Sequence, residues 1–321
     1  MKDRMQFLKE IQKRQDNVEQ VLKEQHNDGR MKYLNSGQSP YYNPFVYKSD
    51  PIDDLSPGCQ SCKDGTWWCL YVGHRCNLDC MYCPQGTAED KRSSIDHPDA
   101  MQRLWIRDIK YSLQAVKPGT IKGISYSGGE PLMFMDKILD MAEFVKNLDH
   151  NIYQWCYTNG MLATDDKLQS LSSAGLSEIR FHLGATKFNK DVIKRLESAC
   201  NIFKRVTVET PSTPALKEWA IDGGGLKRLE AMGVTQLNCA EHYLNSERSF
   251  EEYPNTETYL YTSMARGGHV SPTFSRKVTY DIIDYVIEND IKMIINDCNH
   301  ESRDAQLMTR ELNKDRLVEM Y

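Results

Sequence analysis

Short apolar runs alternate with amphipathic stretches along most of this chain. The runs with the length and side chains of β-strands are Trp67–Gly73, Ile121–Ser127, Ile152–Thr158, Ser177–Leu183, Arg205–Glu209, Thr235–Ala240 and Ile291–Asn296. Between them, apolar residues recur at helical spacing over Pro98–Val116, Met135–Asn147, Lys190–Cys200, Leu216–Met232 and Val278–Asn289. Repeated strand–helix alternation predicts parallel strands joined by crossover helices, in an α/β barrel or a doubly wound sheet.

The ends of the chain follow a different pattern. Residues 1–26 have apolar positions at helical spacing among charges and predict one amphipathic helix. Residues 27–66 are rich in Asn, Ser, Gly, Pro and Tyr and predict irregular structure. Residues 242–272 read as a loop-rich excursion, and residues 303–320 predict a terminal helix.

Charge and hydropathy exclude several functions. The chain has 40 Lys and Arg residues against 45 Asp and Glu residues, a net charge of −5, which argues against a dedicated nucleic-acid-binding protein. It has no apolar run of about 18 residues, so no membrane span is expected. The polar segment Met1–His26 lacks the apolar core of a secretory signal, so we expect a cytoplasmic protein.

Ten cysteines in such a chain point to metal binding or thiol chemistry, because disulfides are rare in reducing compartments. Cys76, Cys80 and Cys83 form a C-x3-C-x2-C array directly after the first predicted strand. Thiolates suit zinc or an iron–sulfur cluster. Because no second C-x2-C pair follows to close a structural zinc site, the array favours a four-iron cluster with one iron left open.

Two further motifs follow the next predicted strands. Ser127-Gly128-Gly129-Glu130-Pro131 comes after the second strand, and Tyr157-Thr158-Asn159-Gly160 comes after the third. With the cysteine array, these motifs resemble the radical S-adenosylmethionine (SAM) superfamily over roughly residues 67–245. The resemblance implies an α/β fold, a partial (β/α)6 TIM-like barrel. The chain would then divide into an N-terminal helical and irregular extension (1–66), the barrel core (67–245) and a C-terminal helical extension covering the barrel (246–321).

The resemblance also implies the cofactors and the residues that hold them. Cys76, Cys80 and Cys83 would bind a [4Fe-4S] cluster, and SAM would chelate its open iron. The residues implied to contact SAM are Tyr82, Gly128, Gly129, Glu130, Thr158, Asn159, His182 and Glu209. Gly128 and Gly129 would let the backbone approach the SAM amine, since they lack Cβ. Glu130 would supply charge or structure the turn. His182 would reach the ribose or be an ordinary strand-end histidine, and Glu209 occupies the place of a family element of which this sequence has no clean copy.

A second group of cysteines lies upstream. Cys59 and Cys62 form a C-x2-C pair, a common metal-ligand spacing, and Cys69 follows on the first predicted strand. With Cys298, Cys239 or Cys156 as a distant ligand, of which Cys298 is the first choice, they predict a second iron–sulfur cluster or zinc site. The alternative is a buried strand cysteine and a structural turn.

These features predict an enzyme that reductively cleaves SAM to a 5′-deoxyadenosyl radical. The radical would abstract a hydrogen atom from a peptide, an amino acid or another small molecule, with electrons from a reductant such as flavodoxin or ferredoxin. Glu241 and Arg266 are candidate contacts to a charged substrate, against the alternative of solvated charges. A glycyl-radical-enzyme activase is an alternative within the class. A non-catalytic zinc or iron–sulfur scaffold or sensor would explain the cysteines but not the two glycine-containing turns.

Overall fold

A computed structural model describes residues 46–47, 55–83, 99–148, 151–244, 247–263 and 267–300, together with 302–303, 306–307 and 309. The predicted helix over 1–26 lies outside these residues, as does most of the predicted helix over 303–320. Among the described residues, no helix is both long and apolar enough to cross a membrane.

An eight-stranded sheet forms the centre of the structure. Its strands are Val46–Tyr47 (β1), Trp67–Tyr71 (β2), Gly123–Ser127 (β3), Tyr153–Thr158 (β4), Glu178–Phe181 (β5), Arg205–Pro211 (β6), Gln236–Ala240 (β7) and Ile294–Cys298 (β10). The spatial order is β1-β10-β7-β6-β5-β4-β3-β2. The strands from β10 to β2 are parallel, and β1 pairs with β10 in the antiparallel direction. All seven predicted strands are therefore present, in the α/β architecture that the sequence predicted.

Helices connect and flank the strands. They are Pro57–Lys63 (α1), Asp99–Ala115 (α2), Met135–Lys146 (α3), Asp165–Ala174 (α4), Lys190–Ile202 (α5), Pro214–Lys217 (α6), Gly225–Met232 (α7), Glu247–Glu252 (α8) and Phe274–Glu288 (α9). Short 3-10 turns cover Pro131–Met133 and Leu183–Thr186, and a π-helical turn covers Glu218–Asp222. The excursion over 242–272 was predicted as loop. Instead, it contains α8 and an antiparallel hairpin of Thr258–Ser263 (β8) and Gly267–Pro272 (β9).

Side chains alternate between the two faces of the sheet. On the outer face, buried apolar residues such as Ile124, Ile179 and Val208 belong to one core with residues of the flanking helices, such as Ile138 and Leu196. Burying one such side chain contributes about 1.5–3 kcal/mol. The core therefore holds the helices on the outside of the sheet.

The inner face is mostly polar and is covered by α1. A Cβ on Gly58 would lie 2.7 Å from a guanidinium nitrogen of Arg180 and 3.0 Å from the Trp155 ring, so the helix packs closely on this face. The start of α1 is encoded locally, since Ser56 caps the amide of Cys59 and Pro57 occupies the first turn. The prediction of irregular structure over 27–66 is therefore wrong for residues 57–63.

Elements outside the predicted core thus complete the sheet and its interior. β1 and β10 extend the sheet at one edge, and α1 covers the inner face. The division at residues 66 and 245 stays a prediction.

Candidate active site

A cavity of about 450 Å³ opens at the carboxyl ends of the parallel strands. This volume lies within the range of small-molecule sites, about 300–1,000 Å³. We call it the main cavity. Every residue predicted to bind the first cluster or SAM lines it: Cys76, Cys80, Cys83, Tyr82, Gly128, Gly129, Glu130, Thr158, Asn159, His182 and Glu209.

The loop with the cysteine array is joined to the Gly128–Gly129 turn by backbone contacts. The amide of Gly129 donates to the carbonyl of Gly73 at 2.9 Å, and the amide of Glu130 donates to the carbonyl of Arg75 at 2.8 Å. A Cβ on Gly129 would lie 2.2 Å from the Arg75 carbonyl oxygen, and one on Gly128 would lie 2.4 Å from that of Gly73. Glycine is therefore required at both positions for the two loops to meet.

Glu130 connects two of the motifs. Its side chain is 1% exposed, and its Oε1 accepts hydrogen bonds from the Thr158 hydroxyl at 2.7 Å and the Leu132 amide at 3.1 Å. Its Oε2 accepts from the Asn159 amide at 2.8 Å. Burial raises the pKa of Glu130, and these hydrogen bonds act in the opposite direction. The Glu130 carboxylate therefore joins the turn after β3 to the turn after β4.

Polar hydrogen atoms surround the first cysteine of the array. The amide of Leu78 donates to Cys76 Sγ at 3.4 Å, and the side-chain amide of Asn159 lies 3.9 Å from the same sulfur. Asn159 also donates to Asn77 Oδ1 at 2.7 Å. Such N–H groups stabilise thiolate over thiol.

The three cysteines of the array suit a multinuclear group. Within the part of the chain that the structure describes, no three His, Cys, Asp or Glu side chains have the spacing of ligands to a single metal ion. A four-iron cluster binds each thiolate to a different iron.

Two histidines line the main cavity, His242 buried and His182 half-buried, and each has one ring nitrogen without a partner among the described residues. His182 Nε2 lies 3.3 Å from the Tyr82 hydroxyl, while His182 Nδ1 has no hydrogen-bond partner among the described residues. His242 stacks edge-on against Tyr82 with ring centroids 5.4 Å apart, and its Nε2 is also without a partner there. No individual role was predicted for His242. Its position two residues after the end of β7 was the available signal.

Burial keeps both imidazoles neutral. It lowers the pKa of His242 to about 4, and the nearby Arg303 charge acts in the same direction. Burial alone lowers the pKa of His182 to about 4. At neutral pH both rings are therefore uncharged, and His182 Nδ1 and His242 Nε2 are buried without a hydrogen-bond partner among the described residues.

We expect the protein to lose stability in mild acid because of His242. The pKa of His242 in the folded protein lies below the ordinary value, so folding favours the neutral ring. The stability that this provides is fully present above about pH 6.5 and is lost as pH falls towards 4. Between about pH 8 and pH 5 this amounts to about 2 kcal/mol. Urea unfolding across this range measures it.

His242→Phe is the matched variant, because phenylalanine keeps the ring contacts with Tyr82, Tyr253 and Phe274. Its stability is expected to vary less with pH than that of the unaltered protein. Equal slopes for the two proteins would contradict the assignment.

Beneath the main cavity, Arg180 organises the inner face of the sheet. Its guanidinium is 2.7 Å from Glu178 and 3.0 Å from Glu209, and Glu209 also accepts from Asn238 at 2.8 Å. Sequence reasoning missed Arg180. The alternation of Glu178 and Arg180 with apolar residues along β5 was the signal for a polar barrel interior.

The candidate substrate contact Glu241 lines the main cavity but is not a solvated charge. It is 3% exposed, receives hydrogen bonds from Arg276 at 2.8 Å and 3.3 Å, and accepts from the His300 amide at 2.8 Å. The Glu241 oxygens therefore already bind the Arg276 side chain on α9 and the backbone amide of His300, which follows β10. Arg266 lies outside the described residues.

The structure separates the members of the second cysteine group. Cys69 lines the main cavity and is exposed, whereas Cys59, Cys62 and Cys298 do not line it. Cys59 is 5% exposed at the interface between α1 and the inner face of the sheet.

Comparison with known proteins shows a match to one family over part of the chain. The model of the radical SAM superfamily matches residues 70–209. A Methanocaldococcus jannaschii protein with the provisional name glycyl-radical enzyme activating enzyme is 28% identical over 216 residues, which are 64% of this chain and 55% of that protein. The PqqA peptide cyclase of Gluconobacter oxydans is 31% identical over 108 residues, 33% of this chain and 27% of that one. The chain thus spans about half the length of the first relative and about a quarter of the second.

Among solved structures, SuiB of Streptococcus suis has the same fold over 87% of this chain and 60% of its own, with a TM-score of 0.50 and 15% identity. The matched segment 70–209 contains the cysteine array and both glycine-containing turns. Residues 70–209 of this chain therefore match the radical SAM superfamily, a family whose cofactors are a [4Fe-4S] cluster and SAM.

Proposed function

We propose that the main cavity binds SAM on a [4Fe-4S] cluster held by Cys76, Cys80 and Cys83, and that the enzyme abstracts a hydrogen atom from a polypeptide substrate. The observation that carries this proposal is the convergence of three separate sequence motifs on one cavity. When bound, the cluster and SAM supply one-electron cleavage of a C–S bond and hydrogen-atom abstraction.

The residues around the cavity fit these cofactors. Three half-buried thiols on one loop provide soft ligands for three irons, and the array has no fourth member to fill the last position. Gly128 and Gly129 keep the neighbouring turn free of side chains. The neutral rings of His182 and His242 line the same cavity and add no charge to it.

A polypeptide substrate is supported by a second depression, which we call the outer groove. It has a volume of about 900 Å³ and shares Leu78, Cys80, Tyr82, Ala185, Thr210 and Pro211 with the main cavity. Trp219 and Phe188 stack in it at 4.8 Å, and Glu218, Asp222 and Glu252 add negative charge. A depression of this volume next to the main cavity leaves room for a polypeptide segment around the reacting residue. The name of the Gluconobacter relative, a peptide cyclase, supports the same class.

Formation of 5′-deoxyadenosine tests the proposed chemistry. The full chain is reconstituted with iron and sulfide without oxygen, reduced with dithionite or with a flavodoxin or ferredoxin, and given SAM. We expect the nucleoside by chromatography and mass spectrometry, and none when the reductant is left out. Cluster-loaded protein that forms no nucleoside under reducing conditions would favour a non-catalytic scaffold or sensor.

Activation of a glycyl-radical enzyme is the second candidate, and the Methanocaldococcus relative is the observation that favours it. Such a substrate is also a polypeptide, but the hydrogen atom comes from a backbone glycine. Peptides deuterated at the glycine α-carbon separate the cases. Deuterium in 5′-deoxyadenosine supports activation, and deuterium only from side-chain-labelled peptides supports side-chain modification.

A further inference from the structure

Arg303 is the only Lys or Arg side chain among the described residues that line the main cavity. It lies in the turn that follows β10, which is at one end of the parallel strands. The three sequence motifs follow β2, β3 and β4, at the other end. The main cavity therefore has one positively charged side chain, and it comes from a different part of the sheet than the motifs assigned to the cluster and SAM.

Local hydrogen bonds hold the turn that carries Arg303. The amide of Arg303 donates to the carbonyl of Asn299 at 3.0 Å. The side chain of Asn299 is buried, accepts from the Ser302 amide at 2.8 Å and donates to Asp297 at 3.1 Å. A side-chain acceptor at the start of a helical turn fixes the backbone that follows it. The backbone of Arg303 is therefore in position before a substrate enters.

The contacts of the Arg303 guanidinium supply no carboxylate. Its Nη2 donates to the backbone carbonyl of Glu241 at 3.3 Å, and its Cζ lies 5.9 Å from the centre of the Tyr243 ring. It also donates to the sulfur of Cys298. In the part of the chain that the structure describes, Arg303 forms no ion pair with a carboxylate. Because a guanidinium carries several N–H donors in a planar fork, donors remain for a ligand in the cavity.

The carboxylates that line the same cavity are already bound within the protein. Glu241 also attracts Arg303, but both Glu241 oxygens accept hydrogen bonds from Arg276. Glu209 pairs with Arg180, and Glu130 accepts its hydrogen bonds from the two neighbouring turns. A half-buried cation without its own counter-charge is only partly hydrated, which makes it a strong partner for an entering anion.

We propose that Arg303 binds a carboxylate of the substrate in the main cavity and thereby selects which part of the polypeptide reaches the cofactors. The inference rests on the proposed function, because a polypeptide supplies this carboxylate from an acidic side chain or from its C-terminus. The guanidinium fork matches a carboxylate with two parallel hydrogen bonds. A neutral amide in the same place would lack the charge and would turn an N–H donor towards the donors of Arg303.

Binding of two matched pairs of peptides tests the site. The full chain is reconstituted with its cluster, given SAM without a reductant, and titrated with each peptide in an isothermal calorimeter. One pair is acetyl-Gly-Glu-Gly-amide and acetyl-Gly-Gln-Gly-amide, and the other is acetyl-triglycine as the free acid and as the amide. We expect the acid to bind about tenfold more tightly than the amide in at least one pair, the effect of a charge-assisted hydrogen bond. The pair with the larger difference identifies a side-chain or a C-terminal carboxylate.

Variants of Arg303 connect this preference to one side chain. Arg303→Gln should reduce the preference to about twofold or less, and Arg303→Lys should retain part of it, because lysine keeps the charge but not the fork. Arg228→Gln is the matched control and should keep the full preference, since Arg228 is exposed on α7 and does not line the main cavity. Circular dichroism checks that each variant is folded.

The outcomes separate this proposal from the proposed function. Equal affinities within both pairs, no binding of any peptide, or a preference that survives in folded Arg303→Gln would overturn the carboxylate site. A loss of SAM affinity of about tenfold in Arg303→Gln would also overturn it, because Arg303 would then bind the carboxylate of SAM itself. Formation of 5′-deoxyadenosine is measured separately. Its absence would overturn the proposed function, whereas its presence with equal peptide affinities would overturn only the carboxylate site.

Discussion

Cys80→Ala is expected to lower the rate of 5′-deoxyadenosine formation by more than about a hundredfold. Loss of a hydrogen-bonding partner behind a metal ligand already costs 10–100-fold, and loss of the ligand itself costs more. Cys80 is the middle residue of the array and lines both the main cavity and the outer groove. Without its sulfur, one iron loses its protein ligand.

The measurement compares reductive cleavage of SAM by Cys80→Ala and Cys200→Ala, prepared and reconstituted together. Cys200 lies on α5, away from the cavity, and its replacement should leave the rate unchanged. The same two proteins should differ in cluster absorbance. Cleavage at the unaltered rate in Cys80→Ala would exclude Cys80 as a ligand.

The sequence allowed us to predict that the three motifs share one cavity, because each motif is a short local segment. Each motif directly follows a strand, and the carboxyl ends of parallel strands meet at one edge of a sheet. Once the strands were recognised, the convergence of Cys76, Gly129 and Asn159 on one cavity followed. The strands themselves were predictable because most residues of β3 to β7 are buried. The side chains on their outer face, such as Ile124, Ile179 and Val208, are apolar.

The interior of the barrel was not predictable in the same way. The α1 helix has seven residues, two of them cysteines and one a glycine, so it carries almost no apolar periodicity. It forms because it packs on Trp155 and Arg180, residues about a hundred positions away. The β8–β9 hairpin was missed for a related reason, since its segment contains the glycines and polar residues that normally indicate loop.

Roles of individual polar residues also depended on distant partners. Glu130 and Glu209 were predicted to contact SAM, a prediction that stands untested. The structure adds that each also accepts hydrogen bonds from within the protein, Glu130 from Thr158 and Glu209 from Arg180. A sequence gives the residue type and its place after a strand, but not which neighbouring strand brings its partner.

Arg180→Met is expected to destabilise the folded protein by about 3–5 kcal/mol, the cost of breaking a buried ion pair from one side. Arg180 is 3% exposed and Glu178 is fully buried. Methionine retains much of the volume of arginine but leaves the Glu178 carboxylate facing Thr207 and Tyr153 without a cation. Glu209, which lines the main cavity, loses its ion pair with Arg180 and keeps only the hydrogen bond from Asn238 among those described above.

Lys217→Met is the matched control, because the Lys217–Asp281 pair has the same 2.7 Å separation as Arg180–Glu178 but its side chains are 45% and 38% exposed. A surface pair of this kind contributes about 0–1 kcal/mol. Urea unfolding of both variants at neutral pH gives the comparison, and Arg180→Lys should recover part of the loss. If the two methionine variants lost equal stability, burial would not be what makes the Arg180 network strong. The polar inner face would then contribute no more to folding than an ordinary protein surface.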